Sequence, residues 1–316
     1  MNPALNRVLS MGGALVAALV CSIHGPGVRS AEPFHLLAWN VESNRPGAAR
    51  VSDPATIAAR LESLVRDPRT RKSIVVLSEV APNTVPAFRA AVARGSGQDF
   101  EAILSASGGF RDADSLLVLV DRARFGVEDV YEIHRHGGID GNMLVADEGP
   151  DLGTLRARSP LAVRLVDRTG GTRFWLVAVH LARGEESLRT DQARMLCRWA
   201  ADRGEPVILA GDCNFDFDFT TRRGNEAWRV VDESAVWRWI EPDPLVDTNW
   251  ADDRSAPPGE RRDRYPGSIL DFVFVANEAG AWRCESDVVV EPGDFPDDDM
   301  TSDHRPLVAT FEPTAP

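Results

Sequence analysis

Polar side chains able to ligate a hard cation or to move a proton fall repeatedly at the ends of apolar runs in this chain. Phe34-His35-Leu36-Leu37-Ala38-Trp39 ends in Asn40, and Ser73-Ile74-Val75-Val76-Leu77 leads into Ser78-Glu79. Phe174-Trp175-Leu176-Val177-Ala178-Val179 ends in His180, and Pro206-Val207-Ile208-Leu209-Ala210 breaks at Gly211-Asp212-Cys213-Asn214. Near the C-terminus stands Thr301-Ser302-Asp303-His304-Arg305-Pro306. Carboxylate and amide oxygens suit a hard divalent ion such as Mg²⁺, which takes few carboxylates and keeps several waters. Histidine moves protons near neutral pH once a neighbouring carboxylate fixes its tautomer. Taken singly, each Asn or Asp would read as a turn or cap residue. Their recurrence where buried strands stop is how a layered sheet protein presents chemistry at one rim.

The elements that must position these residues alternate. Strand-type runs cover Phe34 to Trp39, Ser73 to Leu77, Ser115 to Val120, Leu161 to Val166, Phe174 to Val179, Val207 to Ala210, Ile269 to Val275 and Leu307 to Phe311. Helical stretches cover Pro54 to Val65, with Ser52 or Asp53 as its cap, Thr84 to Arg94, and Ser187 to Asp202. That mixture predicts a layered α/β domain. No long linker or like-charge block divides residues 31–316, so one domain is expected. Asn249 to Gly267, with Pro257-Pro258-Gly259 and Arg261-Arg262-Asp263-Arg264, reads as a long surface loop of the kind that carries specificity.

Residues 1–30 read as a signal peptide: Arg7, an apolar stretch from Val8 to Ile23, then Gly25-Pro26-Gly27 and Val28-Arg29-Ser30, with cleavage expected after Ser30. Export to the periplasm or medium follows, with no transmembrane segment in the mature chain. Losing Arg7 and Arg29 takes the formal net charge from −13 to −15. A chain so acidic is no general nucleic-acid coat protein, although a bound cation adds positive charge that composition omits. The remaining Cys197, Cys213 and Cys284 do not make a disulfide framework, and Cys213 reads as a small buried residue beneath the Gly-Asp-Cys-Asn turn.

Taken in order, Trp-Asn, Ser-Glu-Val, Val-His, Gly-Asp-Cys-Asn and Ser-Asp-His-Arg-Pro resemble the endonuclease/exonuclease/phosphatase superfamily of metal-dependent phosphoesterases, from about Phe34 to Phe311. The resemblance implies a four-layer sandwich, two mixed β-sheets packed face to face and flanked by helices. It implies Mg²⁺, or Mn²⁺, held by Asn40, Glu79 and Asp303, and hydrolysis of a phosphoester. Asp212 matches the residue that binds metal or orients the attacking water, and Asn214 the one that holds a phosphoryl oxygen. Asp271 matches the carboxylate that orients His304, and as a charge in an apolar strand it would be costly without such a partner. His180 matches the histidine on the scissile phosphate, with Asp114 as its expected partner. Arg158-Ser159-Pro160 resembles the family's Arg-Glu-Pro, implying that Arg158 contacts phosphate. Ser159 and Ser78 depart from the family's usual Glu and Gln.

The expected substrate is DNA or RNA, with Arg261, Arg262 and Arg264, helped by Arg222 and Arg223, as local positive charge. A sphingomyelinase-like or inositol-phosphate-type phosphoesterase is the alternative within the enzyme class. A non-catalytic binding module is the alternative outside it, disfavoured because both histidines and the ligand carboxylates remain. Nothing signals a stable protein partner, so a monomer is expected. His35, His134 and His136 read as structural or loop residues, and Phe215, Phe217, Phe219, Trp228, Trp237 and Trp239 as core.

Overall fold

Runs of Val, Leu, Ile and Phe without polar interruption form strands buried on both faces, which requires a layer above and a layer below them. The computed structural model describes residues 32–42, 52–66, 72–106, 114–133, 158–250, 260, 262–263, 265–292, 294 and 300–314. Residues 1–30, read from the sequence as a signal peptide, and His134, His136, Arg261 and Arg264 lie outside the described residues. The elements are β1 (Phe34–Asn40), α1 (Pro54–Leu64), β2 (Lys72–Val80), α2 (Val85–Ser96), β3 (Phe100–Leu104), β4 (Ser115–Asp121), β5 (Phe125–Glu132), β6 (Leu161–Asp167) and β7 (Arg173–His180). Then follow α3 (Glu186–Ala201), β8 (Val207–Asp218), α4 (Glu226–Glu233), β9 (Trp237–Trp239), β10 (Ser268–Ala276), β11 (Arg283–Val288) and β12 (Leu307–Glu312).

The strands form two mixed six-stranded sheets, ordered β11-β12-β1-β2-β4-β3 and β5-β6-β7-β8-β10-β9. Each sheet holds one parallel pair at its centre, β1 with β2 and β7 with β8, while the other pairings are antiparallel. Parallel neighbours need a crossover, and α1 and α3 supply them. Alternation sorts the side chains. Leu36, Ala38, Ile74 and Val76 meet Leu176, Ile208 and Val273 between the sheets, whereas Leu37, Trp39, Val75 and Leu77 pack outward on Ile57, Leu61 and Phe88 of α1 and α2. Val177, Leu209, Phe272 and Phe274 pack under Leu196, Trp199 and Trp228 of α3 and α4. The expected four-layer sandwich is the observed one.

Two expectations change. Val207 to Ala210 does not stop at Gly211, because β8 continues to Asp218 and, after a register break beyond Asp212, pairs with β10 again at Phe217 and Asp218. Phe215 and Phe217 are therefore strand residues whose outward alternation sends them into the α4 core beside Trp228. Likewise β2 runs through Glu79 to Val80, with a register break between Leu77 and Val80. The elements missed, β3, β5, β9, β11 and α4, are short or carry polar residues on solvent-facing sides, so they lack a long apolar signal. Asp53 caps α1, its carboxylate accepting from the Thr56 amide at 2.8 Å, while Ser52 donates to the Val41 carbonyl at 2.5 Å. Among the described residues no helix is long and apolar enough to cross a membrane.

Gly211 sits at φ +133°, and a Cβ there would collide with the Val179 carbonyl on the adjacent β7. The obstacle is backbone in the middle of a sheet and has no room to yield. Gly211→Ala should cost about 2–4 kcal/mol. Urea unfolding measures it, and a midpoint unchanged from wild type would refute this account.

Candidate active site

The sandwich brings the carboxyl ends of its two parallel pairs to one rim. β1 faces β8 there, so Asn40 Nδ2 donates to Asp212 Oδ2 at 3.1 Å; β2 faces β7, so Glu79 Oε1 lies 3.7 Å from His180 Nε2. The antiparallel neighbours add the rest. Asp271 on β10 pairs in register with Asp212, Asp114 immediately precedes β4, and Asp303 and His304 precede β12.

Each histidine is oriented by its own carboxylate. His180 Nδ1 lies 3.1 Å from Asp114 Oδ1, and His304 Nδ1 lies 2.7 Å from Asp271 Oδ2. An Nδ1–H facing a carboxylate leaves Nε2 to face the site. Both Nε2 atoms point at the same atom, Asp212 Oδ2, at 3.4 Å for His180 and 3.9 Å for His304. Asp303 Oδ1 stands 3.9 Å from His304 Nε2 on the more open side.

Burial and charge set the protonation states. Burial drives the Asp212 carboxyl upward, but His180, His304, Arg158 and the Asn40 hydrogen bond outweigh it and hold the group below the usual carboxylate range. Burial also opposes ionisation of Asp114, yet its contacts with His180 and Arg158 bring it down to about 2. Asp271 goes the other way, raised by burial despite His304. His304 is disfavoured as a cation by burial, but Asp271, Asp212 and Asp303 raise it well above the ordinary histidine value.

The residues singled out from the sequence fall into place unevenly. Asn40, Glu79, Asp114, His180, Asp212, Asp271, Asp303 and His304 converge. Asn214, buried at φ +52°, gives one Nδ2 hydrogen to the Leu181 carbonyl at 3.0 Å, and its Oδ1 accepts from Arg183 Nη1 at 3.1 Å. Arg158 differs from the expectation of a phosphate contact. Its guanidinium braces Asp114 and donates to the His180 and Leu181 carbonyls at 2.9 and 2.8 Å, so its charge already serves the Asp114–His180 pair. Arg262 is exposed on the loop before β10.

Several supporting residues escaped the sequence reading. Thr248 Oγ1 accepts from the Leu270 and Asp271 amides at 2.9 and 3.2 Å and holds the register break that aims Asp271. Trp39 Nε1 donates to the His304 carbonyl at 2.8 Å, and Ser302 Oγ to the Asn40 carbonyl at 2.6 Å. Gln192 and Arg189, one helical turn apart on α3, clasp the backbone after His180 through Ala182 and Arg183. The i, i+3 spacing of two polar residues on the buried face of a helix was the available signal.

The donor chemistry fits a hard divalent cation. Glu79 Oε1 and Asp212 Oδ2 lie 3.2 and 3.1 Å from one atom, Asn40 Nδ2, so two carboxylates reach a common point. Asn40 Oδ1, the ligand atom expected there, accepts instead from the Glu42 amide at 3.1 Å. Cys213 is no candidate ligand, since it packs in the outer core with its thiol pushed well up by burial. The groupings Glu79-Asp114-His180 and Asp212-Asp271-His304 each place possible ligand atoms within 4.8 Å, but in both the histidine Nδ1 already faces a carboxylate.

A scaffold of two face-packed mixed sheets with His–carboxylate pairs and acidic oxygens at one rim defines a metal-dependent phosphoesterase. The sequence model of the Endonuclease/Exonuclease/phosphatase family matches residues 37–304, and the chain belongs to that family, whose members hydrolyse phosphoric esters. No curated protein sequence matches it. Among solved structures, a family protein from Bacteroides thetaiotaomicron superposes with TM-score 0.64 at 14% identity, covering 89% of this chain and 98% of that one. D. rerio TDP2, solved with a single-strand DNA product, gives 0.59 at 17% identity over 88% of this chain and 98% of its own. The B. thetaiotaomicron mannosyl-6-phosphatase Bt3783 gives 0.58 at 14% identity over 87% and 98%. At such identities these likenesses establish the fold.

Asp114 also sets a pH dependence. Its folded value of about 2 lies below the ordinary 3.8, so the stabilisation it brings is complete above about pH 4 and is lost as pH falls toward 2. Asp114→Asn should lower stability at pH 7 by about 3 kcal/mol, because Arg158 loses its buried partner, and should flatten the decline between pH 4 and 2. Denaturant midpoints against pH test this; parallel wild-type and variant curves would show that the pair contributes nothing.

Proposed function

We propose that this protein is an exported, Mg²⁺-dependent phosphodiesterase that cuts nucleic acid. The observation that carries the reading is the convergence of two carboxylate-anchored histidines on Asp212, with Nε2 distances of 3.4 and 3.9 Å. Such a pair can hold two oxygens of one phosphoryl group while the carboxylate between them addresses an attacking water.

In this assignment Asp212, kept ionised by its surroundings, orients the water and takes its proton. His304, kept charged beside Asp271, presents Nε2–H to a phosphoryl oxygen. His180, anchored by Asp114, turns its Nε2 toward another. The second Nδ2 hydrogen of Asn214 is available to a third, since Leu181 takes only the first. Glu79, Asp303 and Asn40 would hold the cation, which would neutralise phosphoryl charge as a Lewis acid. An all-oxygen donor set with no thiolate favours Mg²⁺, with Mn²⁺ able to replace it.

Charge supports a diester. Glu79, Asp212 and Asp303 crowd the site, and Arg158 is committed to Asp114. A dianionic monoester would meet more repulsion there than the single negative charge of a diester. The exposed Arg262, with Arg261 and Arg264 of the same loop, is assigned to the substrate chain.

Hydrolysis should vanish in EDTA and return with Mg²⁺ or Mn²⁺. Glu79→Ala should weaken metal binding as well as rate, and His304→Ala should lower turnover about 100-fold or more without unfolding. A panel of DNA, RNA, a small phosphodiester, sphingomyelin, inositol phosphates and a sugar phosphate monoester reads the class. Full activity in EDTA would reject the metal assignment, and activity confined to sphingomyelin or monoesters would reject the nuclease reading. Mass spectrometry of the exported protein should find a chain beginning near Ala31; an intact Met1 in the cytosol would overturn export.

A further inference from the structure

Arg183 stands three residues beyond His180, where β7 has given way to the loop before α3. Its guanidinium joins two residues of β8: Nη1 donates to Asn214 Oδ1 at 3.1 Å and to Asp216 Oδ1 at 2.7 Å. Strand alternation puts Asp212, Asn214 and Asp216 on one side of β8, while Cys213, Phe215 and Phe217 fill the outer core. Asp216 is four residues beyond Asp212, at the far end of the segment that leaves the register with β10. Arg183 therefore bridges the buried Asn214, proposed to touch the scissile phosphate, and a point further along the rim. Asn214 and Asp216 both hold left-handed backbone, at φ +52° and +47°, and Asn225 Nδ2 pins them through the Asn214 carbonyl at 2.7 Å and Asp216 Oδ2 at 3.1 Å. The Arg183 and Asp216 side chains are 47% and 46% exposed, so their ion pair is screened by water and weak.

On the reading of this site as a nuclease, we infer that Arg183 is a specificity-determining residue that binds the phosphate next to the scissile one in a polynucleotide, exchanging Asp216 for it. The exchange is favourable for three reasons. A screened carboxylate holds Arg183 only loosely. A guanidinium offers a phosphate two parallel donors. The backbone carrying Asn214 and Asp216 stays fixed by Asn225 while the side chain turns. Asp216 in turn repels chains that do not bring Arg183 a phosphate, which favours polymers over small esters.

Steady-state kinetics on single-stranded DNA and on a small phosphodiester with no second phosphate test this. Arg183→Ala should lower kcat/KM on DNA about ten-fold more than on the small diester, mainly through KM, and reduce the slope of log KM against log salt by about one. Arg183→Lys should keep that slope, because the charge remains, while losing part of the DNA preference. Asp216→Asn should lower KM for DNA about two-fold, since it releases Arg183. Equal losses of Arg183→Ala on both substrates would make the residue a brace for Asn214 and overturn the inference. A rise in KM for DNA with Asp216→Asn would overturn it too. Wild-type protein inactive on DNA but active on the small diester would reject the nuclease reading and this inference together, whereas the two preceding outcomes reject this inference alone.

Discussion

A carboxylate taken out of water keeps its charge only where positive or hydrogen-bonding groups replace the lost solvent, and at the rim Asp212, 2% exposed, makes that demand of its neighbours. Asn40 from the opposite sheet donates to it, and two histidine Nε2 atoms face it, His180 from the adjacent β7 and His304 from the segment before β12. Each histidine needs its own anion, so Asp114 and Asp271 are drawn in, and Asp114 needs Arg158. Arg158 then ties down the His180 and Leu181 carbonyls. The rim is thus one connected network of alternating charges.

The topology meets this demand by repeating itself. Both sheets centre on a parallel pair joined by a helical crossover, and packing them face to face sets two pairs of carboxyl-terminal strand ends against each other. Strand ends escape the sheet's alternation just enough to aim side chains inward. Glu79 at φ +56° and Asn214 at φ +52° are non-glycine residues in the left-handed region, and Glu79 lies at the register break in β2. Such backbone is unfavourable by itself and persists because the layers on both faces overdetermine it.

An acidic chain that acts on a phosphoester must place positive charge locally. The formal net charge of −13 opposes general adhesion of anions over its surface. Positive groups are placed by geometry: His304, raised by its carboxylate neighbours, within the rim, and Arg183 at the edge, its charge masked by Asp216.

Much of this was legible in the residue order. Predominantly apolar runs mark β1, β2, β4, β6, β7, β10 and β12, most completely in β2, β4 and β7, whose burial on both faces leaves little polar side to blur the pattern. The polar residues at their ends mark the rim. The pairing of Asp271 with His304 was legible only through the family resemblance, whereas that of Asn40 with Asp212 was not, since it joins residues far apart in the chain whose meeting depends on how two sheets stack. Nor was the continuation of β8 past Gly211, where Cys213 to Asp216 leave the register with β10 and pairing resumes at Phe217 and Asp218. The role of Arg158 was decided by the same means: local sequence specifies a guanidinium, but only the packed structure settles which carboxylate reaches it first. Sequence by itself determined which side chains exist at strand ends and hence what chemistry is possible. Tertiary structure decided which of them share a charge, because electrostatic partnership depends on distance and desolvation, and both arise only when the two sheets close on each other.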